Sequence, residues 1–190
     1  MQRVIAAALL VWLAGTTAHA AEPEPLPPAA GLSASAATAR AALFAELAAT
    51  KNDDEARAVE DRLWTFWRSL GDDETRRLFD QSREAQLRFA YAEALAYNKA
   101  AVEHAPQFAE GWNQLGYVYF LAGDYDASLA AIERVLALEP LHYAALAGKG
   151  IILYYEGKVA EAQPPLKRAL AIDPWLKERN LIGKDSVPTP

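Results

Sequence analysis

Apolar positions along this chain fall at helical spacing, and the helices then recur on a longer period. Ala56, Val59, Leu63, Phe66, Trp67 and Leu70 are separated by 3, 4, 3, 1 and 3 residues, which places them on one helix face. Asn52 or Asp53 can cap that helix, Asp53, Asp54 and Glu55 set negative charge at its start, and Gly71 is placed to end it in the left-handed conformation. Before it, residues 33–50 carry a shorter stripe of Leu43, Phe44 and Leu47, with Ser33 or Ser35 as cap. A third helix starts at Asp72 or Asp73 and carries Leu78, Phe79, Ala85 and Leu87. After a break at 88–91 a fourth carries Ala94, Leu95, Ala101 and Val102. Two further pairs follow, 108–121 with 125–138 and 142–155 with 159–172, turning at Gly123 and Gly157.

Those pairs are in register. Pro106, Pro140 and Pro174 lie 34 residues apart, as do Gly116 and Gly150, and Gly123 and Gly157. Ala94, Ser128 and Ala162 keep one phase, and Ala101, Val135 and Ala169 another. A period of this length with small residues in phase is the mark of stacked helical hairpins. The expected fold is therefore all-α: a helix-turn-helix solenoid of about three units (75–108, 109–142 and 143–176), preceded by a helical hairpin at 33–74. That hairpin is expected to stack as the N-terminal neighbour of the first unit. Pro164-Pro165 falls inside the last long helix, where proline removes a hydrogen bond and crowds the preceding turn. The helix is expected to start late, near Gln163, or to kink. Residues 177–190 are read as a capping segment and a disordered tail.

The unit resembles the tetratricopeptide repeat. Residues 109–142 fit best, through Trp112, Leu115, Gly116, Tyr119 and Pro140, with Ser128, Ile132 and Val135 in place of the usual Ala, aromatic and Ala. Residues 143–176 fit through Gly150, Ala162, Ala169 and Pro174, while Leu146 and Lys149 depart. Residues 75–108 are degenerate: Ala94, Ala101 and Pro106 fit, but Leu78, Gln81, Ser82 and Asn98 do not. The whole chain is similar to small exported bacterial tetratricopeptide proteins that place an aromatic hairpin before their repeats, a resemblance that implies a scaffold and a compartment rather than a reaction.

The first residues carry an export pattern. Arg3 precedes an apolar run from Val4 to Ala14, and Ala18-His19-Ala20 is a small-x-small cleavage site ahead of Ala21. Residues 1–20 are read as a signal peptide and 21–32, with four prolines, as an extended linker. Eleven apolar residues are too few for a bilayer span, which takes about 20. Export to the periplasm of a Gram-negative bacterium is the expected fate, with no stable membrane insertion after cleavage. Cysteine is absent, which removes disulfides and thiolate metal sites. Loss of residues 1–20 takes away one of 19 basic residues and none of the 25 acidic ones, moving the formal charge from −6 to −7 and arguing against nucleic acid as partner.

No catalytic constellation is visible. His104 and His142 have no second ligand at metal spacing, no Gly-x-Ser-x-Gly turn or phosphate loop occurs, and Asp53-Asp54 and Asp72-Asp73 sit where caps belong. The chain is expected to be non-catalytic, without cofactor or metal. In tetratricopeptide arrays the first helix of each unit lines a peptide groove. The resemblance assigns to it Arg76, Phe79 and Arg83 in the degenerate unit, Glu110, Asn113, Tyr117 and Phe120 in the middle unit, and Ile151 and Tyr154 in the last. Aromatic and Arg residues concentrate binding energy, and Asn can bind a peptide backbone as donor and acceptor. Ala144 and Gly148 stand where a clamp for acidic C-terminal peptides would need cations, so that ligand is not expected. The leading expectation is a protein-interaction module that takes a peptide or partner helix. The alternative is a self-associating structural protein joined through Trp64, Trp67 and Trp175.

Overall fold

The computed structural model describes residues 27–183. The expected leader, its Ala20–Ala21 cleavage site, the first half of the Pro-rich linker and the final seven residues lie outside the described residues. The described chain is all-α, with eight α-helices: α1 (Ala34–Ala48), α2 (Asp53–Ser69), α3 (Asp73–Leu87), α4 (Tyr91–His104), α5 (Ala109–Leu121), α6 (Tyr125–Leu138), α7 (Tyr143–Tyr155) and α8 (Val159–Ile172). A 3-10 turn, Lys177–Leu181, follows.

Local chemistry fixes the ends. Ser33 caps α1 by accepting from Ala36 N–H, and Asn52 caps α2 by accepting from Glu55 N–H. Glu55 reaches back to accept from Lys51 N–H at 2.8 Å and from Asn52 Nδ2 at 2.9 Å, which ties the entering chain to the first turn. Asp72 caps α3, and the hydrogen bond from Thr75 N–H, then His104, holds its carboxyl well below the usual carboxylate range. Gly71 does not take the expected left-handed conformation, since it is absent from the positive-φ glycines. Its lack of a side chain serves packing instead, because a Cβ there would lie 2.9 Å from the Phe108 ring.

Helices α3–α4, α5–α6 and α7–α8 form three stacked hairpins. Gly123 (φ 78°) and Gly157 (φ 79°) turn the second and third. The equivalent position in the first is Phe89, which takes the same left-handed turn at φ 58° with its ring 78% exposed. In the middle hairpin Ser128 Oγ donates to the Gly116 carbonyl at 2.8 Å across the crossing. The degenerate unit substitutes a polar joint, with Asn98 donating to Ser82 at 2.9 Å in a buried site. Helix α8 starts at Val159, not late, and carries both prolines inside it. The missing amides would have bonded the Ala160 and Glu161 carbonyls, whose residues are exposed and open to water, while Pro165 is buried.

The α1–α2 hairpin does not cap the N-terminal end of the array. It doubles back across the edge formed by the turns between repeats. Gly71 meets Phe108, Trp67 stacks on His142 with ring centroids 4.1 Å apart, and Trp175 Nε1 donates to Thr50 at 3.0 Å. Phe108 and His142 lie 34 residues apart, so the prolines that punctuate the repeats mark the edge on which the hairpin lies. The seam is apolar at its centre, where Leu43, Phe44, Leu47, Ala56, Val59, Leu63 and Trp67 pack with Tyr143. It is also tied by a buried ion pair: Arg40 donates from Nε and Nη2 to Glu139 at 2.6 and 2.5 Å, and each side chain is only 4% exposed. The physical reason for the return is the face of α3. That helix carries paired charges at Asp73–Arg76 and Glu74–Arg77, and gives the apolar stripe of α2 little to bury against.

Candidate peptide-binding groove

Helices α5 and α7 run side by side with α6 behind them, leaving a cavity of about 430 Å³ on the concave side. Tyr117, Phe120, Ile132, Ile151 and Ile152 form most of its wall, and Asn113, Gln114 and Ser128 supply its polar atoms. Trp64, reaching over from α2, adds an indole to the lining. The wall carries no charged residue. A concave, largely apolar site of this size with a few polar groups is the usual form of a ligand pocket.

The groove residues expected from sequence separate into three groups. Asn113, Tyr117, Phe120 and Ile151 line this one cavity. Tyr117 is 52% exposed, so its ring is available to a partner. Glu110 and Tyr154 do not reach it as contacts, since both are 1% exposed. Glu110 is a structural hub: Asn113 donates to it at 3.0 Å, Gln114 at 2.6 Å and His142 Nε2 at 3.4 Å. His142 Nδ1 accepts from Ala145 N–H as the cap of α7, which leaves Nε2 as the donor to Glu110. Asn113 thus spends one amide hydrogen inside the protein and keeps Oδ1 as an acceptor for a partner. Tyr154 packs with Leu153, Ala162 and Leu166 in the core of the last hairpin.

The third group, Arg76, Phe79 and Arg83, lies outside the cavity lining. Arg76 donates to the Gly71 carbonyl and pairs with Asp73, Arg83 pairs with Asp80 at 3.1 Å, and Phe79 stacks on Phe108 at 5.9 Å. Arg76 and Arg83 are exposed and Phe79 is half-buried, so they stand apart from this cavity. Trp64 is the cavity residue that the repeat pattern could not indicate, because it belongs to the hairpin. Its signal was the surplus indole beside the main stripe of α2. Among the described residues no cluster of His, Asp or Glu could hold a metal ion, and no helix is long and apolar enough to cross a membrane.

Comparison with known proteins agrees with this architecture. The tetratricopeptide repeat family pattern matches residues 109–142. A TPR repeat-containing protein of Rhizobium etli is 30% identical over 115 residues, covering 60% of this chain and 56% of that protein, so the chain spans about half the length of this relative. Among solved structures, the first TPR of Spaghetti (RPAP3) bound to the HSP90 peptide SRMEEVD superposes with a TM-score of 0.55 at 16% identity, over 58% of this chain and 92% of that one. The TPR2B domain of yeast Sti1, in its pHsp70 complex, gives 0.53 at 14% identity, over 58% and 91%. At those identities the likeness is one of fold. With the 34-residue register, the three hairpins and the matched middle unit together, the described chain is an all-α solenoid that carries a tetratricopeptide repeat at 109–142 and is similar in fold to tetratricopeptide arrays.

Proposed function

We propose that this protein is a non-catalytic interaction module, exported to the periplasm, whose α5–α7 groove takes a short peptide or helix through one uncharged, apolar anchor side chain. The carrying observation is the cavity of about 430 Å³ with Tyr117, Phe120, Ile151 and Trp64 in its wall and no charge among its lining residues. Tetratricopeptide neighbours that bind HSP90 and Hsp70 peptides support a peptide partner in general terms. The peptide SRMEEVD is acidic, and the present cavity offers it no cation, so the partner here is of different chemistry. Fold alone assigns no ligand, and the reading rests on the site.

The test is selection from a displayed library of short peptides on the full chain, followed by titration of enriched peptides. They are expected to share one large apolar residue, and Tyr117→Ala or Ile151→Asp is expected to weaken them by at least ~10-fold, the scale of an anchor residue. Peptides that bind these variants as tightly as wild type would remove the groove from the account. For the self-association alternative, Trp67 is 2% exposed and offers no surface, while Trp64 and Trp175 are half-buried against the hairpin seam.

A further inference from the structure

Glu139 and Asp173 occupy the same phase of consecutive repeats, each capping the C-terminus of its second helix. Both are buried, at 3% and 0% exposure. Each accepts from an amide two residues on, Leu141 N–H at 3.1 Å and Trp175 N–H at 3.0 Å. A carboxylate at a helix C-terminus faces the negative end of the helix dipole and needs compensation. The hairpin supplies it to Glu139 through Arg40. To Asp173 it presents Glu60 of α2, another carboxyl.

Two facing carboxyl groups in a half-closed seam cannot both hold charge cheaply, and one proton between them satisfies both. The geometry asks for that proton independently, since Asp173 Oδ2 is buried with no donor. Burial, then the Asp173 charge, pushes the Glu60 carboxyl up to about 7, and burial raises Asp173 as well. The surrounding groups do not neutralise the pair. On α2, Arg57 draws Glu60 down while Asp61 draws it up, and Arg57 lies 3.9 and 3.7 Å from Asp53 and Asp54. Asp53 sits 3.5 Å from Arg179, and Lys177 and Glu178 line the outer opening beside Glu60. From α7, Tyr143 faces the pair with its hydroxyl buried and unpartnered, its own ionisation suppressed first by burial and then by the Glu60 charge. His142 and Glu110 pair with each other on the far side of Trp64 and Trp67. The same seam leaves Asp53 Oδ1 and Trp67 Nε1 without hydrogen bonds, so it is the least satisfied interface in the described structure.

Trp64 lies four residues after Glu60, one helical turn along the same face. It also lines the groove. We propose that α2 is a proton-operated clamp on the groove: Glu60 and Asp173 share a proton when the hairpin is seated, and its loss eases α2 and Trp64 off the cavity, so that the groove binds more tightly in acid than in alkali. The binding half of this statement rests on the groove being the binding site.

The test follows the ¹⁵N-indole resonance of Trp64 in the full chain from pH 5 to 9, assigned with Trp64→Phe, alongside binding of the uncharged apolar probe N-phenyl-1-naphthylamine. The resonance is expected to shift in one step near neutral pH, and probe affinity to fall about fivefold or more between pH 5.5 and 8.5, a modest coupling. Glu60→Gln keeps a hydrogen-bond donor to Asp173 without the charge, and is expected to flatten the step and retain probe affinity in alkali; Asp173→Asn is expected to do the same. Because His142 also lies near Trp64, a step that persists unchanged in both variants assigns the titration to the imidazole and overturns the clamp, as does a wild-type resonance that never moves. A titrating Trp64 with no probe uptake at any pH supports the clamp and overturns the groove as the binding site. Uptake that is independent of pH, with a static Trp64, overturns the clamp and leaves the groove standing.

Discussion

Removing the Arg40 guanidinium tests whether the hairpin is truly seated on the array. Arg40 reaches from α1 to Glu139 at the end of α6 with two hydrogen bonds, 2.6 and 2.5 Å, and both side chains are 4% exposed. It also lies 5.2 Å over the Phe44 ring. Arg40→Met keeps most of the aliphatic stem and leaves Glu139 as a buried charge facing no cation, for which the expected loss is about 3–5 kcal/mol. A domain of this kind holds about 5–15 kcal/mol in all, so such a loss is large. The double variant Arg40→Met, Glu139→Gln removes the stranded charge while the Gln oxygen still accepts from Leu141 N–H. It is expected to recover to within about 1–1.5 kcal/mol of wild type, because neutral replacement of a buried pair is often tolerated. Arg62→Met, which breaks the exposed pair with Glu46 inside the same hairpin, is the control and is expected to leave stability nearly unchanged, because solvent screens an exposed pair. Urea unfolding followed by far-ultraviolet circular dichroism reads all three. If Arg40→Met costs no more than Arg62→Met, the hairpin is not docked through Glu139 and the account of the seam fails.

Other consequences follow from single positions. Phe89→Gly is expected to stabilise the chain by roughly 1 kcal/mol, since a non-glycine residue in the left-handed region costs about 1–2 kcal/mol and this ring is largely exposed; an unchanged or lowered melting temperature would refute it. Gly150→Ala is expected to cost about 1–3 kcal/mol by overpacking, because a Cβ there would lie 2.7 Å from Leu166 Cδ2. Gly116→Ala meets Ala131 Cβ at 3.4 Å and is expected to change stability by less than ~1 kcal/mol, so equal costs at the two glycines would contradict the packing. The Glu60 carboxyl, raised from 4.5 to about 7 in the folded chain, binds its proton more tightly folded than unfolded. Its stabilising contribution is complete below pH 4.5 and is lost as pH rises to 7. Allowing for screening at a partly exposed carboxyl, that loss is about 1–2 kcal/mol, and chemical denaturation of Glu60→Gln should lack this slope.

The repeat was legible because its punctuation is chemical. Gly123 and Gly157 are required by their turns, and Gly150 by its close crossing, so a sequence cannot omit them without penalty. The caps at Asn52 and Asp72 were legible for the same reason. What sequence could not place was the hairpin. The face of α2 is evident from its stripe, but a stripe states only that something apolar covers it. The cover is Tyr143 and its neighbours, some eighty residues away. The hairpin's placement also decides which of the expected groove residues meet the cavity. The register projected Arg76, Phe79 and Arg83 onto a concave face that the first unit does not extend to the cavity. It also treated Glu110 as a contact, although Glu110 organises the buried joint between α5 and α7 beneath the hairpin. Pro164-Pro165 misled for a local reason: the carbonyls they leave unbonded belong to exposed residues, where water replaces the missing donors.

The returning hairpin also changes what the groove can hold. A three-unit array with an open concave face could bind an extended peptide along its whole length. Here α3 contributes no wall to the cavity, and Trp64 of the hairpin lines it. What remains is the span of α5 and α7, each 13 residues long, with room for one large side chain and a few backbone groups. Affinity in such a site depends on how much is ordered beforehand. With the hairpin seated, Trp64 makes edge contacts to Trp67, His142 and Tyr143, with ring centroids 5.4, 5.7 and 6.5 Å away, so its ring is ordered before a partner arrives. Removing residues 27–71 from the chain would therefore do two separable things. It would uncover Tyr143 and His142, destabilising the last repeats, and it would open the groove while stripping away its pre-ordered wall. A longer groove that binds more weakly is the outcome this arrangement demands, because the lost wall contributes contact without an ordering cost.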